Sequence, residues 1–180
     1  MADLMEIIQG RRSIRNYQDK AVPEDVLNRI LEALRWSPSW ANTQCWEVVL
    51  VKDGEIKQKL QQTLPPTNPA SRAMVEAPLI LVLCGRLQKA GCYKGQVVTK
   101  FGDWFLFDLG IATQTICLTA HALGLGTVVV GLFDHNQAKQ LLGVPEEVEV
   151  VAMIPLGYAA KEPAAPKRRE VAEFLHADTF

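Results

Sequence analysis

The feature that most constrains this chain is a long apolar run, WFLFDLGIATQTICLTAHALG, from Trp104 to Gly124. It is long enough to cross a bilayer. Asp108, Gln114, three threonines and His121 lie within it, however, and lipid would leave those groups without partners, whereas surrounding protein can satisfy them. The run therefore predicts a buried helix of a folded protein. With 180 residues and 48% hydrophobic content the chain can build a core around such a helix, and disorder is excluded as its main state.

The flanking segments supply the rest of one α/β domain. Asp3 and Glu6 give a capping signal for a first helix ending near Gly10. Pro23 opens a second, with Glu24 and Asp25 in its first turn and Val26, Leu27, Ile30, Leu31 and Leu34 along one face, stopping at Trp36 before Ser37-Pro38. WEVVLVK from Trp46 predicts a strand, Asp53-Gly54 a turn and EIKQKLQQTL an amphipathic helix, followed by a loop over 65–71 and a short helix around Met74. The unbroken apolar LILVLC, 79–84, predicts a strand covered on both faces. Residues 85–102 have four glycines and no clean period, as expected of a mobile connection or lid. TVVVGL, a short helix from His135 to Leu142 and the strand VEVVAMIPLG complete the domain, and the proline-rich segment from about residue 158 projects as a tail. No repeat or linker divides the chain, so 1–180 is expected to be a single domain.

Nineteen basic and twenty acidic residues nearly cancel, so a general attraction to nucleic acid or to an anionic membrane is not expected. Four cysteines without a CxxC pair and three histidines without metal-ligand spacing favour a reducing, cytoplasmic setting and no structural zinc. The opening MADLMEIIQGRR reverses the charge order of a secretory leader. The glycines of GLGTVVVG follow a helix and have the wrong spacing for a dinucleotide fingerprint, and no GxxxxGK[ST] or GxSxG motif is present. Cys84 and Cys117 are expected to be small buried hydrophobes, and His121 a core histidine.

Two windows carry functional information. Arg11, Arg12 and Arg15 surround Ser13 near the start, and Lys167, Arg168 and Arg169 cluster near the end. Either alone fits a solvated patch; together they suit a phosphate monoester, which takes several cations and a hydroxyl donor. SPSWANTQCW, from Ser37 to Trp46, places Ser39, Asn42 and Gln44 in one short loop, where hydroxyl and amide groups can read a heteroaromatic edge.

RRSIR, SPSWANTQCW, AHALGLGT and IPLGYAAKEPAAPKRR, in this order, resemble the FMN-dependent nitroreductase family. The resemblance implies an α+β fold with a central mixed sheet flanked by helices, and an intertwined homodimer with C-terminal arm exchange and two FMN molecules at the interface. It implies that Arg11, Arg12, Ser13 and Arg15, with Lys167 and Arg169, surround the ribityl phosphate. Pro38, Ser39 and Asn42, with Gln44 beside them, would contact the cofactor from the other subunit. Gly131 and Leu132 would present backbone amides to the flavin N5 side, and Asn68 is a further candidate for the pyrimidine edge. The expected activity is ping-pong hydride transfer from NAD(P)H through flavin N5 to a small oxidant such as a nitroaromatic or quinone, with no obligatory side-chain acid or base. A flavin-binding or storage protein, or a dehalogenating or flavin-cleaving relative, is the alternative. Cys45 stands where relatives commonly have proline, and Tyr93 and Lys94 are candidate lid contacts.

Overall fold

The computed structural model describes residues 3–180; Met1 and Ala2 of the opening segment lie outside the described residues. The chain forms α1 (Leu4–Gly10), α2 (Glu24–Arg35), β1 (Trp46–Val51), α3 (Gly54–Gln62), α4 (Ser71–Glu76), β2 (Leu79–Arg86), β3 (Cys92–Tyr93) and β4 (Gln96–Val97). It continues with α5 (Phe105–Ala122), β5 (Gly126–Thr127), α6 (His135–Leu141) and β6 (Val148–Gly157). Four strands pair antiparallel in the order β1-β2-β6-β5. A parallel bridge between Ser13 and Thr127 adds the amino-terminal segment to the β5 edge.

The sheet is covered on both faces, as the apolar β2 segment predicts. Successive side chains of a strand point to opposite faces. Ile80, Val82 and Cys84 accordingly pack in one core with Leu60, Met74 and Ala138 of α3, α4 and α6, while Leu79, Leu81 and Leu83 pack in a second with Leu27, Ile30, Leu109 and Ile116 of α2 and α5. A bulge between Leu83 and Cys84 shifts the register of β6 by one residue. That shift lets Val150 and Met153, three positions apart, face the same core.

Three segments differ from expectation. The predicted strand TVVVGL pairs regularly only at Gly126–Thr127, with a further single bridge from Val130 to Met153, so the backbone beyond Val130 leaves the sheet. Residues 85–102 contain a hairpin, β3–β4, turned at Lys94 and Gly95, which both have positive φ as a two-residue turn requires. Helix α5 is buried along only one stripe: Asp108, Leu109, Ala112, Ile116 and Cys117 face inward, whereas Leu106 and Phe107 stand nearly 60% exposed. No helix among the described residues is long and apolar enough to cross a membrane.

The tail begins firmly and then departs. Gln18 N–H donates to Tyr158 O at 2.9 Å and Ala160 N–H to Asn16 O at 2.9 Å, which ties the residues just after β6 to the segment after RRSIR. From Ala160 onward every residue is exposed. Helix α1 likewise buries none of its residues and leaves Leu4, Met5 and Ile8 to solvent.

Candidate functional site

Arg15 lies at the centre of the arrangement. It lines a cleft of about 310 Å³ together with Asn68, Val130, Gly131 and Leu132, and a neighbouring groove with Ser13, Asn16, Lys161 and Pro163. Its Nη1 reaches the Ser13 carbonyl at 3.4 Å, while its buried Nε has no hydrogen-bond partner among the described residues. A buried guanidinium N–H left unpaired is costly. An anion or carbonyl acceptor entering the cleft would remove that cost.

The backbone holds this cleft in shape. Ile14 N–H donates to Thr127 O at 2.8 Å, and the buried Tyr17 hydroxyl sits 2.9 Å from both Ile14 O and Pro155 O, so the RRSIR segment is fixed in register along β5. Burial raises the Tyr17 pKa, keeping the hydroxyl protonated and available as a donor. On the opposite wall Val130 exchanges two 2.9 Å hydrogen bonds with Met153. Because a trans peptide points its C=O and N–H in opposite directions, the Gly131 N–H is aimed away from β6. The N–H groups of Gly131 and Leu132 have no acceptor among the described residues.

Asn68 has a definite orientation. Its Oδ1 accepts from Ala70 N–H at 2.9 Å and its Nδ2 donates to Leu132 O at 3.1 Å, so the amide braces the wall that carries Gly131 and Leu132. One Nδ2 hydrogen remains for a ligand. Arg11 and Arg12 line a smaller, adjoining pocket with His121, Thr127 and Glu162. Arg12 Nη1 donates to Gln9 O at 2.5 Å and Arg11 O at 2.9 Å, and thereby caps the end of α1. His121 is half-buried beside Gly10, consistent with packing.

The other candidates lie elsewhere in the chain. Pro38, Asn42 and Gln44 line a separate cleft with Arg35, Trp36 and Ser37. Ser39 Oγ accepts from Gln44 N–H at 2.9 Å, and Gln44 Nε2 donates to Asn42 Oδ1 at 3.2 Å. Ala41, Asn42 and Gln44 all have positive φ, between 44° and 56°. Left-handed geometry in non-glycine residues costs about 1–3 kcal/mol each and gathers where function requires it. Lys167 and Arg169 sit on the exposed tail, where Arg168 Nη1 donates to Pro166 O at 3.1 Å and Arg169 Nη2 to Glu173 O. A single chain thus brings Ser13, Arg15, Asn68, Gly131 and Leu132 together and leaves the 38–44 loop and the two tail cations apart.

Sequence reasoning passed over Asp108 as a polar interruption. Its carboxylate is 1% exposed; both oxygens accept from Trp40 N–H at 3.1 Å, and Oδ2 lies 3.6 Å from Cys45 Sγ. The available signal was a carboxylate inside an apolar helix, which must have partners from another element. Burial, reinforced by Asp108, pushes the Cys45 thiol up to about 12, so Cys45 is a packed thiol donor and not a nucleophile. Tyr93 is exposed, with Lys94 Nζ 5.4 Å over its ring.

Comparison with known proteins places this geometry. A sequence profile described as the Nitroreductase family matches residues 8–158. A protein of Methanothermobacter thermautotrophicus, provisionally named NADH dehydrogenase/NAD(P)H nitroreductase, is 33% identical over 165 residues, covering 89% of this chain and 80% of its own. The FMN reductase [NAD(P)H] of Bacillus subtilis is 28% identical over 191 residues, covering all of this chain and 75% of its own. The structure of an FMN-dependent nitroreductase from Clostridium difficile superposes with a TM-score of 0.81 at 26% identity, covering 98% of this chain and 99% of that one. With the family profile spanning most of the sequence and the same fold recurring in solved relatives, this chain belongs to the nitroreductase family.

Proposed function

We propose that the chain is an FMN-dependent NAD(P)H oxidoreductase that acts as a homodimer on a small-molecule oxidant. The observation that carries this reading is the cleft in which Arg15, with an unspent buried N–H, stands beside Ser13 and opposite the free backbone amides of Gly131 and Leu132. Those groups suit the two ends of a flavin mononucleotide: cations and a hydroxyl for the phosphate, fixed N–H donors for the isoalloxazine edge. The donor set therefore fits the cofactor. Arg11 and Arg12 add positive charge next to the same segment, and the tail of a partner would bring Lys167 and Arg169 to it.

The second copy follows from what one chain lacks. Pro38, Ser39, Asn42 and Gln44 line no surface of the Arg15 cleft, and their contact with the same cofactor needs a loop from another subunit. An apolar groove of about 590 Å³ along α5, lined by Leu106, Phe107, Gly110, Ile111 and Leu118, supports that assembly, as does the bare apolar face of α1. Exposed Val171, Phe174 and Leu175 give the tail side chains to bury on a partner.

Held by Arg15, Ser13 and the Gly131 and Leu132 amides, FMN would supply hydride-transfer chemistry between NAD(P)H and a nitroaromatic, quinone or similar oxidant, the two using the same place in turn. The chain's part is to hold and polarise. Preorganised amides at Gly131 and Leu132 need no reorientation as charge develops beside them, and Arg15 supplies a guanidinium whose fork of N–H donors can meet an anionic oxygen. No described cluster of His, Cys, Asp or Glu could hold a metal ion.

The test is an anaerobic NAD(P)H titration of the purified yellow protein, followed by addition of a nitroaromatic or quinone. Bleaching on reduction and return of colour on oxidation support the reductase. Bound flavin that stays oxidised supports binding or storage instead.

A further inference from the structure

The loop 37–44 is short and strained, with Pro38, Ala41, Asn42 and Gln44 exposed and Ser37 buried. Three of its residues, Ala41, Asn42 and Gln44, occupy the left-handed region that non-glycine residues avoid. Its internal hydrogen bonds, Asn42 N–H to Ser39 O at 3.0 Å, Thr43 N–H to Trp40 O at 2.8 Å and Gln44 N–H to Ser39 Oγ, close the turn on itself. They fix its curvature but not its place on the domain. Ser37 N–H ties the loop to α2 through Leu34 O at 2.9 Å, and side-chain attachment comes from α5: Ser37 Oγ donates to Thr115 Oγ1 at 2.9 Å, and Trp40 N–H donates to the Asp108 carboxylate.

Asp108 is unusual among these anchors. It is an almost fully buried carboxylate that takes part in none of the four ion pairs of the described residues. The first turn of α5 and the Trp40 and Cys45 donors are what surround its charge. A buried carboxylate without a cation contributes less to stability than an apolar side chain of the same volume would. Among the described residues its carboxylate accepts only from Trp40 and Cys45, which flank the 41–44 segment that holds the three left-handed residues. The Trp40 ring packs against that of Trp104, at the start of α5, with centroids 6.0 Å apart.

We infer that Asp108 is the positioning residue of this loop: by holding the Trp40 N–H and the Cys45 thiol it sets where Pro38, Ser39 and Asn42 meet the cofactor of the partner subunit. The inference rests on the flavin reading proposed above. It assigns to α5 a role at the site of the other copy, transmitted through one carboxylate.

The test compares Asp108→Ala and Asp108→Asn with the parent in the full-length chain, titrating FMN into flavin-stripped protein by quenching of flavin fluorescence. Circular dichroism and light scattering confirm fold and oligomeric state. The alanine variant is expected to bind FMN at least about tenfold more weakly in a folded protein, since the Trp40 anchor is lost. The asparagine variant, whose amide oxygen still accepts from Trp40, should stay within about threefold of the parent. Should the alanine variant fail to fold, Asp108→Ser, too short to reach both Trp40 and Cys45, takes its place with the same expectation. Parent-like FMN affinity in the truncated variant, even with a lowered melting temperature, overturns the inference by leaving Asp108 a purely structural role. Equal losses in the asparagine and truncated variants also overturn it, by tracing the effect to charge instead of position. A parent that binds no FMN defeats the flavin reading itself.

Discussion

Gly126 is where the smallest possible change should have the largest effect on the site. A Cβ built there would lie 2.5 Å from Ile14 Cγ1, 2.7 Å from Ile14 Cβ and 2.9 Å from Ile14 Cγ2. Carbon atoms pack at about 3.5–4.0 Å, so Gly126→Ala must move Ile14 by close to 1 Å. Ile14 cannot yield by rotating, because it is β-branched, 4% exposed and hydrogen-bonded through its own N–H to Thr127. The whole 13–15 segment has to slide along β5. Overpacking of this kind costs about 1–3 kcal/mol, which for a chain of this size lowers the melting temperature by roughly 2–12 °C. The displaced neighbours are Ser13 and Arg15, so FMN affinity should fall as well, by the order of one charge-assisted contact, about tenfold to a hundredfold. Gly54→Ala is the matched control: nothing lies within 4 Å of its added Cβ, and its φ is not positive. Differential scanning calorimetry and flavin titration of both variants measure the two effects. If Gly126→Ala melts with the parent and binds FMN as tightly, the fixed register between RRSIR and β5 is wrong.

Three further outcomes are expected. Gly110, with open space around its Cβ on the α5 groove, should tolerate tryptophan within the monomer yet block association, so Gly110→Trp should shift the mass seen by light scattering from dimer to monomer. Arg11→Ala and Arg169→Ala should each weaken FMN retention by about 1.5–3 kcal/mol, read as a tenfold or greater rise in the dissociation constant; unchanged affinity in both would remove the phosphate site from this cluster. Cys45 and Cys84 are held at about 12 and about 11 by burial, so both stay protonated in the fold at a pH where the unfolded chain has already ionised. Their contribution to stability is complete below the ordinary thiol pKa of about 8.5 and is lost as pH rises toward the folded values. Denaturant melts between pH 8 and 11 should show that decline, with a shallower slope in Cys45→Ala.

Much of the secondary structure was legible because burial leaves a periodic trace. The two-faced β2, the amphipathic α2 and the apolar α5 each state their surroundings in which positions are apolar. TVVVGL was less legible: its β-branched residues have strand propensity, but the chain turns out of the sheet after Val130, and no local signal marks that departure. The exposed stripe of α5 was hidden for a related reason. In the proposed dimer that stripe would face the partner, and a side chain facing a partner is as apolar as one facing the core, so the sequence predicts burial without specifying which molecule provides it.

The candidate site divides along the same line. Residue types suited to a phosphate and a heteroaromatic edge, and their order along the chain, belong to the sequence, because guanidinium, hydroxyl and amide chemistry does not depend on where the chain goes. Tertiary structure alone decided which of them share a cleft. Arg15 meets Gly131 because Ser13 pairs with Thr127 across more than a hundred residues, and Asn68 faces Leu132 from a loop between α3 and α4. It also gave Asp108 its partners, since a buried carboxylate takes its meaning from the donors that folding delivers to it, and those lie more than sixty residues away in the chain.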